Sequence, residues 1–138
     1  MRDTTESSGG GETVTHRFRV GSEAVHYGGG LAPGAFVVRA FGDLGTEMNL
    51  RETGDEGLLR AYESLEFLAP LYAGDFLEIA GRTLSVGNTS RRREYVARVY
   101  ARTHDVGPHA SSGDLLPEPI LVARGVAVSV VTRDRRRA

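Results

Sequence analysis

The residues with the strongest claim to chemistry begin with the run His26-Tyr27-Gly28-Gly29-Gly30-Leu31-Ala32-Pro33-Gly34, which strips side chains from the backbone just before a helical pattern starts. Bare N–H groups at a helix start, with the helix dipole behind them, suit a negative oxygen on a phosphate or on a developing thioester enolate. The run is not a dinucleotide fingerprint, because Pro33 stands where the last glycine of GxGxxG belongs, and such glycines also make plain tight turns. Arg39, Asp43 and Glu47 follow at four-residue steps and therefore stack along one stripe of the helix. On a solvated face this stripe is an ion-pair ladder contributing about 0.3–0.5 kcal/mol per pair. In an enclosed cleft the same carboxylates become acid–base groups.

A second donor-rich segment is Gly87-Asn88-Thr89-Ser90-Arg91-Arg92-Arg93. Its amide, hydroxyls and guanidinium groups suit a phosphorylated ligand tail, with a solvated strand entrance as the plainer alternative. The fit of Asn88-Thr89-Ser90 to a glycosylation acceptor is discounted, because nothing directs the chain out of the cell. Tyr62 and Glu66 share one face of a predicted strand; each could point into a site, or be a core tyrosine and an exposed glutamate. His104 and His109 lie in a loop at a spacing no metal motif demands. The tail Arg133-Asp134-Arg135-Arg136-Arg137 reads as a solvated end, and nucleic-acid binding is not expected.

Composition narrows the chemistry further. All 17 basic residues are arginine, so a lysine Schiff base, a pyridoxal-phosphate anchor and a Walker A lysine are excluded. With no cysteine there is no thiolate nucleophile, disulfide or cysteine-bound metal, and the 4 histidines lack HExxH spacing. No metal site is expected. The net charge of −1, with 40% hydrophobic and 25% charged residues over 138 positions, is that of one ordinary globular domain. No run of about 18 apolar residues suggests a membrane span or a membrane partner, and a cytoplasmic location is expected.

The elements that must position these groups follow from periodicity. Residues 1–12 are small and polar and read as a disordered lead, 13–132 as the folded domain and 133–138 as the arginine-rich tail. Val14, His16, Phe18 and Val20 share one parity, which predicts a strand over 13–21. Val37, Phe41, Leu44 and Met48 predict a helix from Pro33 to Leu50, with Pro33 as first helical residue. Apolar residues wrap that helix widely, so it should be buried on nearly every side, with Gly42 and Gly45 marking close packing. Residues 51–57 read as a loop, and strands are predicted near 58–69, 75–86, 91–103 and 119–132, with a long loop from His104 to Pro117. The order gives an α+β domain: one helix on a curved antiparallel sheet of about five strands. Its open edge and uncovered face call for a partner, at least a homodimer.

The runs HYGGGLAPGA (26–35), FGDLGTEM (41–48), GDEGLLRAYESLEFLAPLYAGDF (54–76) and VGNTSRR (86–92) resemble the 3-aminobutyryl-CoA and β-alanyl-CoA ammonia lyase group of hotdog-fold proteins, over about Val14 to Val131. The resemblance implies a hotdog domain whose sites form between paired chains. The implied reaction is reversible elimination of ammonia from a β-aminoacyl-CoA, with coenzyme A as part of the substrate and no permanently bound cofactor. Asp43 is the implied base, Glu47 an ammonium or proton-handling group, and His26 and Tyr27 pocket residues. Backbone donors near Gly30, Gly34 and Ala35 would hold the thioester oxygen, and Asn88, Thr89, Ser90, Arg91 and Arg92 the coenzyme A tail. Gly30 stands where the family pattern has asparagine. An acyl-CoA thioesterase of the same fold, amine addition to an enoyl thioester in biosynthesis, and a non-catalytic acyl-thioester binder are the alternatives.

Overall fold

Alternating burial from Val14 onward builds the first long strand, β2, in a computed structural model that describes residues 7–8, 12–25 and 27–137. His26 lies outside the described residues, as does most of the N-terminal lead. Within that lead Ser7–Ser8 (β1) pair with Val86 and Ser85, so a stretch expected to be structureless contributes a short edge segment. After β2 (Val14–Arg19) come α1 (Gly34–Thr53), β3 (Leu58–Phe67), β4 (Phe76–Val86), β5 (Ser90–Arg102) and β6 (Asp114–Val130). The sheet is antiparallel throughout, in the order β2–β4–β5–β6–β3, with β1 continuing the β2 side of β4. One helix on five long antiparallel strands is the expected architecture.

The core lies between α1 and the sheet. Val37, Ala40, Phe41, Leu44 and Met48 recur at three- and four-residue steps and meet Leu77, Ile79, Tyr95, Ala97, Val99 and Ala127. Phe41 stacks on Tyr95 with ring centroids 5.3 Å apart. Gly45 is required there, because a Cβ would overlap the Tyr95 hydroxyl, whereas Gly42 faces open space and marks no close packing. The helix is buried on one side only: Ala35, Arg39, Gly42 and Asp43 are exposed. The expectation of a helix enclosed all round is thus wrong for the single chain.

Boundaries also move. Pro33 is the cap before α1 rather than its first residue, and α1 runs to Thr53, where Gly54 (φ 80°) turns left-handed and donates its N–H to Leu50 O. That conformation suits glycine and ends the helix later than expected. Strand β6 starts at Asp114, inside the predicted loop. Pro117 and Pro119 are tolerated because the ladder with β5 skips from Leu115 to Ile120 and β3 pairs only with residues 123–130. Among the described residues no strand pairs with the other side of β3, which presents Leu58, Leu59 and Phe67, all more than half exposed.

Candidate functional site

The glycine run does adopt a conformation that needs glycine: Gly29 and Gly30 have φ of 73° and 78°. The loop is tied down by Ala73 N–H to Gly30 O (2.9 Å) and Ala32 N–H to Leu71 O (2.8 Å). Residues 71–75 are fixed in turn by Asp75, fully buried, which accepts from Tyr72 N–H and from two nitrogens of Arg102 at 2.8–2.9 Å. This scaffold delivers the start of α1, where proline offers no capping side chain and Phe36 N–H turns back to Pro33 O (3.0 Å). The N–H groups of Gly34 and Ala35 have no acceptor among the described residues. They are free donors at the positive end of the helix dipole.

Three clefts run together along the first half of α1. An apolar one of about 460 Å³ lies between Leu31, Gly34, Val37, Phe67, Leu71 and Val122, and shares Tyr27 and Pro33 with a neighbour of about 530 Å³ lined by Ala35, Phe36 and Arg39. That neighbour shares Glu23, Phe36 and Arg39 with a third cleft of about 400 Å³, lined also by His16, Phe18 and Asp43. Tyr27, Gly34, Ala35 and Asp43 therefore border one groove. Asp43 has no hydrogen bond or ion pair among the described residues.

Glu47 has a different place from the one expected. It accepts from His16 Nε2 at 2.8 Å and from Arg51 at 2.7 Å, and does not line the groove. The hydrogen bond from His16, helped by Arg51 and opposed by partial desolvation, holds its carboxyl below the usual carboxylate range. His16 and Glu23 are groove residues that sequence reasoning did not select. The signal for His16 was present, as a lone imidazole on the inward parity of Val14, Phe18 and Val20.

Tyr62 and Glu66 are not brought to the groove. Tyr62 is half-buried, and burial pushes its hydroxyl pKa up; Glu66 is exposed and paired with Arg124 at 2.8 Å. The Asn88–Arg92 segment lies at the opposite end of α1. Arg91 is buried and bonds Glu52 (3.2 Å), so it is no free phosphate ligand, and the fully buried Arg93 bonds the same carboxylate, Asn49 Oδ1 at 2.7 Å and the Thr83 hydroxyl through its terminal nitrogens, its Nε having no partner among the described residues. Burial pushes Glu52 up, but the hydrogen bonds from Arg93 and Arg91 outweigh it and hold the carboxyl low. Arg92 is exposed at the surface and grips Glu63 with two nitrogens at 2.8–3.1 Å. The tail is largely exposed but tethered: Arg133 and Arg136 bond Asn88, and Arg137 donates to Leu50 O and Arg51 O. Gly34 and Glu52 are 18 residues apart, about 27 Å along the helix axis.

Among the described residues no cluster of three or more His, Cys, Asp or Glu could hold a metal ion, and no helix is long and apolar enough to cross a membrane. A helix laid on a five-strand antiparallel sheet, with an uncapped helix start opening into an apolar groove, defines the hotdog class. A hexameric hotdog fold thioesterase of Campylobacter jejuni superposes with a TM-score of 0.69 at 17% identity, over 89% of this chain and 86% of that one, which shows the shared fold. No family model matches the sequence. Whole-chain similarity is more specific. A 3-aminobutyryl-CoA ammonia lyase of Acetoanaerobium sticklandii is 42% identical over 123 residues, covering 88% of this chain and 95% of that protein. The β-alanyl-CoA:ammonia lyase of Clostridium propionicum matches with a TM-score of 0.87 and 32% identity, over 93% of this chain and 90% of that one. The chain belongs to the family of aminoacyl-CoA ammonia lyases, enzymes built on the hotdog fold.

Proposed function

We propose that the protein eliminates ammonia reversibly from a β-aminoacyl-CoA of the 3-aminobutyryl type, giving the α,β-unsaturated thioester. The observation that carries this reading is an unpartnered Asp43 carboxylate on the groove of a chain 42% identical to a named 3-aminobutyryl-CoA ammonia lyase. The thioester acidifies the neighbouring C–H; Asp43 takes that proton, the C–H electron pair becomes the double bond, and the C–N pair departs with nitrogen as ammonia. The negative charge that develops on the thioester oxygen needs donors, which free N–H groups at a helix start supply.

Gly34 and Asp43 are nine residues apart, about 14 Å along the axis. That is more than a short aspartate side chain and an enolate together span, so donors and base acting on one substrate come from two copies of the chain. The unpaired β3 edge with exposed Leu58, Leu59 and Phe67 supports pairing with a second copy. The coenzyme A tail is assigned to the Asn88–Ser90 turn and Arg92, whose exposed guanidinium can exchange Glu63 for a phosphate. Coenzyme A enters as part of the substrate, no other cofactor is required by this chemistry, and a cytoplasmic location belongs to the same reading.

Incubating the protein with crotonyl-CoA and ammonium tests it by mass spectrometry. Accumulation of 3-aminobutyryl-CoA is expected; free coenzyme A in its place would make the protein a thioesterase.

A further inference from the structure

His16 lies on the same cleft as Asp43, and among the described residues its ring is bonded at one nitrogen only. Its Nε2 is 2.8 Å from Glu47 Oε1, and Glu47 is itself held by Arg51 at 2.7 Å. Glu47 is an ionised carboxylate here, since its hydrogen bonds hold its pKa low, and an ionised carboxylate only accepts. Nε2 is therefore the protonated nitrogen of the neutral ring, and Nδ1 is left with a lone pair and no partner among the described residues. The imidazole is part-buried, in a cleft of about 400 Å³ that also contains Asp43. A carboxylate fixing one ring nitrogen while the other stays open is the arrangement of a histidine placed to pass a proton.

We propose that His16 is a second catalytic residue of the site, handling the proton of the ammonia nitrogen, and that Glu47 is its positioning residue rather than a substrate contact. The inference rests on the β-aminoacyl-CoA reading above. In the addition direction Nδ1 takes one proton from the ammonium ion, and the lone pair so released forms the bond to the β-carbon. The π electrons of the enoyl thioester move to the α-carbon, which collects its proton from the Asp43 carboxyl. The proton on His16 then returns to Asp43 through water in the open cleft, so protons and charge balance. Elimination runs the same steps backwards, with the imidazolium protonating departing ammonia.

His16→Gln keeps a side-chain donor for Glu47 but cannot take up a proton. It is expected to lower kcat for ammonium addition to crotonyl-CoA by about 100-fold or more, with the KM for crotonyl-CoA changed by less than about twofold. His16→Ala is expected to be rescued by added imidazole, and by substituted imidazoles in order of their basicity. Glu47→Gln should lower kcat less, again at constant KM for crotonyl-CoA. Wild-type turnover in His16→Gln would overturn the proposal, as would loss of crotonyl-CoA binding in both His16 variants without rescue, which marks a structural role. Failure of the wild-type protein itself to form the amine adduct would instead remove the β-aminoacyl-CoA reading on which the proposal stands.

Discussion

At its C-terminal end α1 is tied down: Gly54 closes the helix onto Leu50 O, the Arg137 side chain donates to that carbonyl and to Arg51 O, and Thr53 bonds Asn49 O. There Glu52 and Asn49 meet Arg91 and Arg93 in a buried network. At the N-terminal end the reverse holds. Pro33 offers no cap, two N–H groups are open, and Asp43 faces a groove without a partner. The same helix carries charge at both ends, but at the C-terminal end the carboxylate of Glu52 is paired with arginines, while at the other end Asp43 has no partner among the described residues. Saturated groups fix the fold, and groups left open are available to a substrate.

Arg93→Ala leaves the buried Asn49 Oδ1 without its donor while the part-exposed Glu52 keeps Arg91, and should cost about 1–3 kcal/mol in denaturant unfolding. Arg91→Ala should act mainly on stability too, not on the KM for acyl-CoA; a KM effect without loss of stability would contradict a structural role for Arg91. Gly45→Ala drives a methyl into the Tyr95 hydroxyl and should destabilise by about 1–3 kcal/mol. Gly42→Ala, which meets open space on an exposed helical turn, should stabilise by up to about 1 kcal/mol. Comparing the two melting temperatures separates close packing from an idle glycine. Removing residues 133–138 uncaps α1 and uncovers Asn88, and should cost about 1 kcal/mol.

The network also sets an acid limit. The Glu52 pKa is lowered in the folded protein, so its contribution is complete above the ordinary value of 4.5 and is lost as pH falls through the folded pKa. Urea midpoints measured downward from pH 6 should decline below that value, and the decline should be shallower in Arg93→Ala.

Most strands were legible because one face of each is dry. The inward parity of Tyr95, Ala97 and Val99 even extends back to Arg91 and Arg93, but nothing local says that a strand arginine will be buried. Its partners, Glu52, Asn49 and Thr83, come from α1 and β4, and only the tertiary fold brings them together. Ala35, Phe36 and Val38 widen the apolar arc of the helix and make it look enclosed in sequence; in the single chain Ala35 and Phe36 border the groove. Gly30 is left-handed at φ 78°, which asparagine also tolerates, so the departure from the family pattern costs the backbone nothing. Asp43 is a candidate on the spacing of its helix stripe and on the resemblance, whereas His16 becomes one only through its place on the cleft and its 2.8 Å contact to Glu47.

The most direct test of the division between the two ends is the turnover of Asp43→Asn with crotonyl-CoA and ammonium, measured beside its melting temperature. The side chain is exposed and unpaired, so stability should hold while kcat falls by about 10²–10⁴-fold. Full activity in Asp43→Asn would contradict the account and move the chemistry away from the open end of α1.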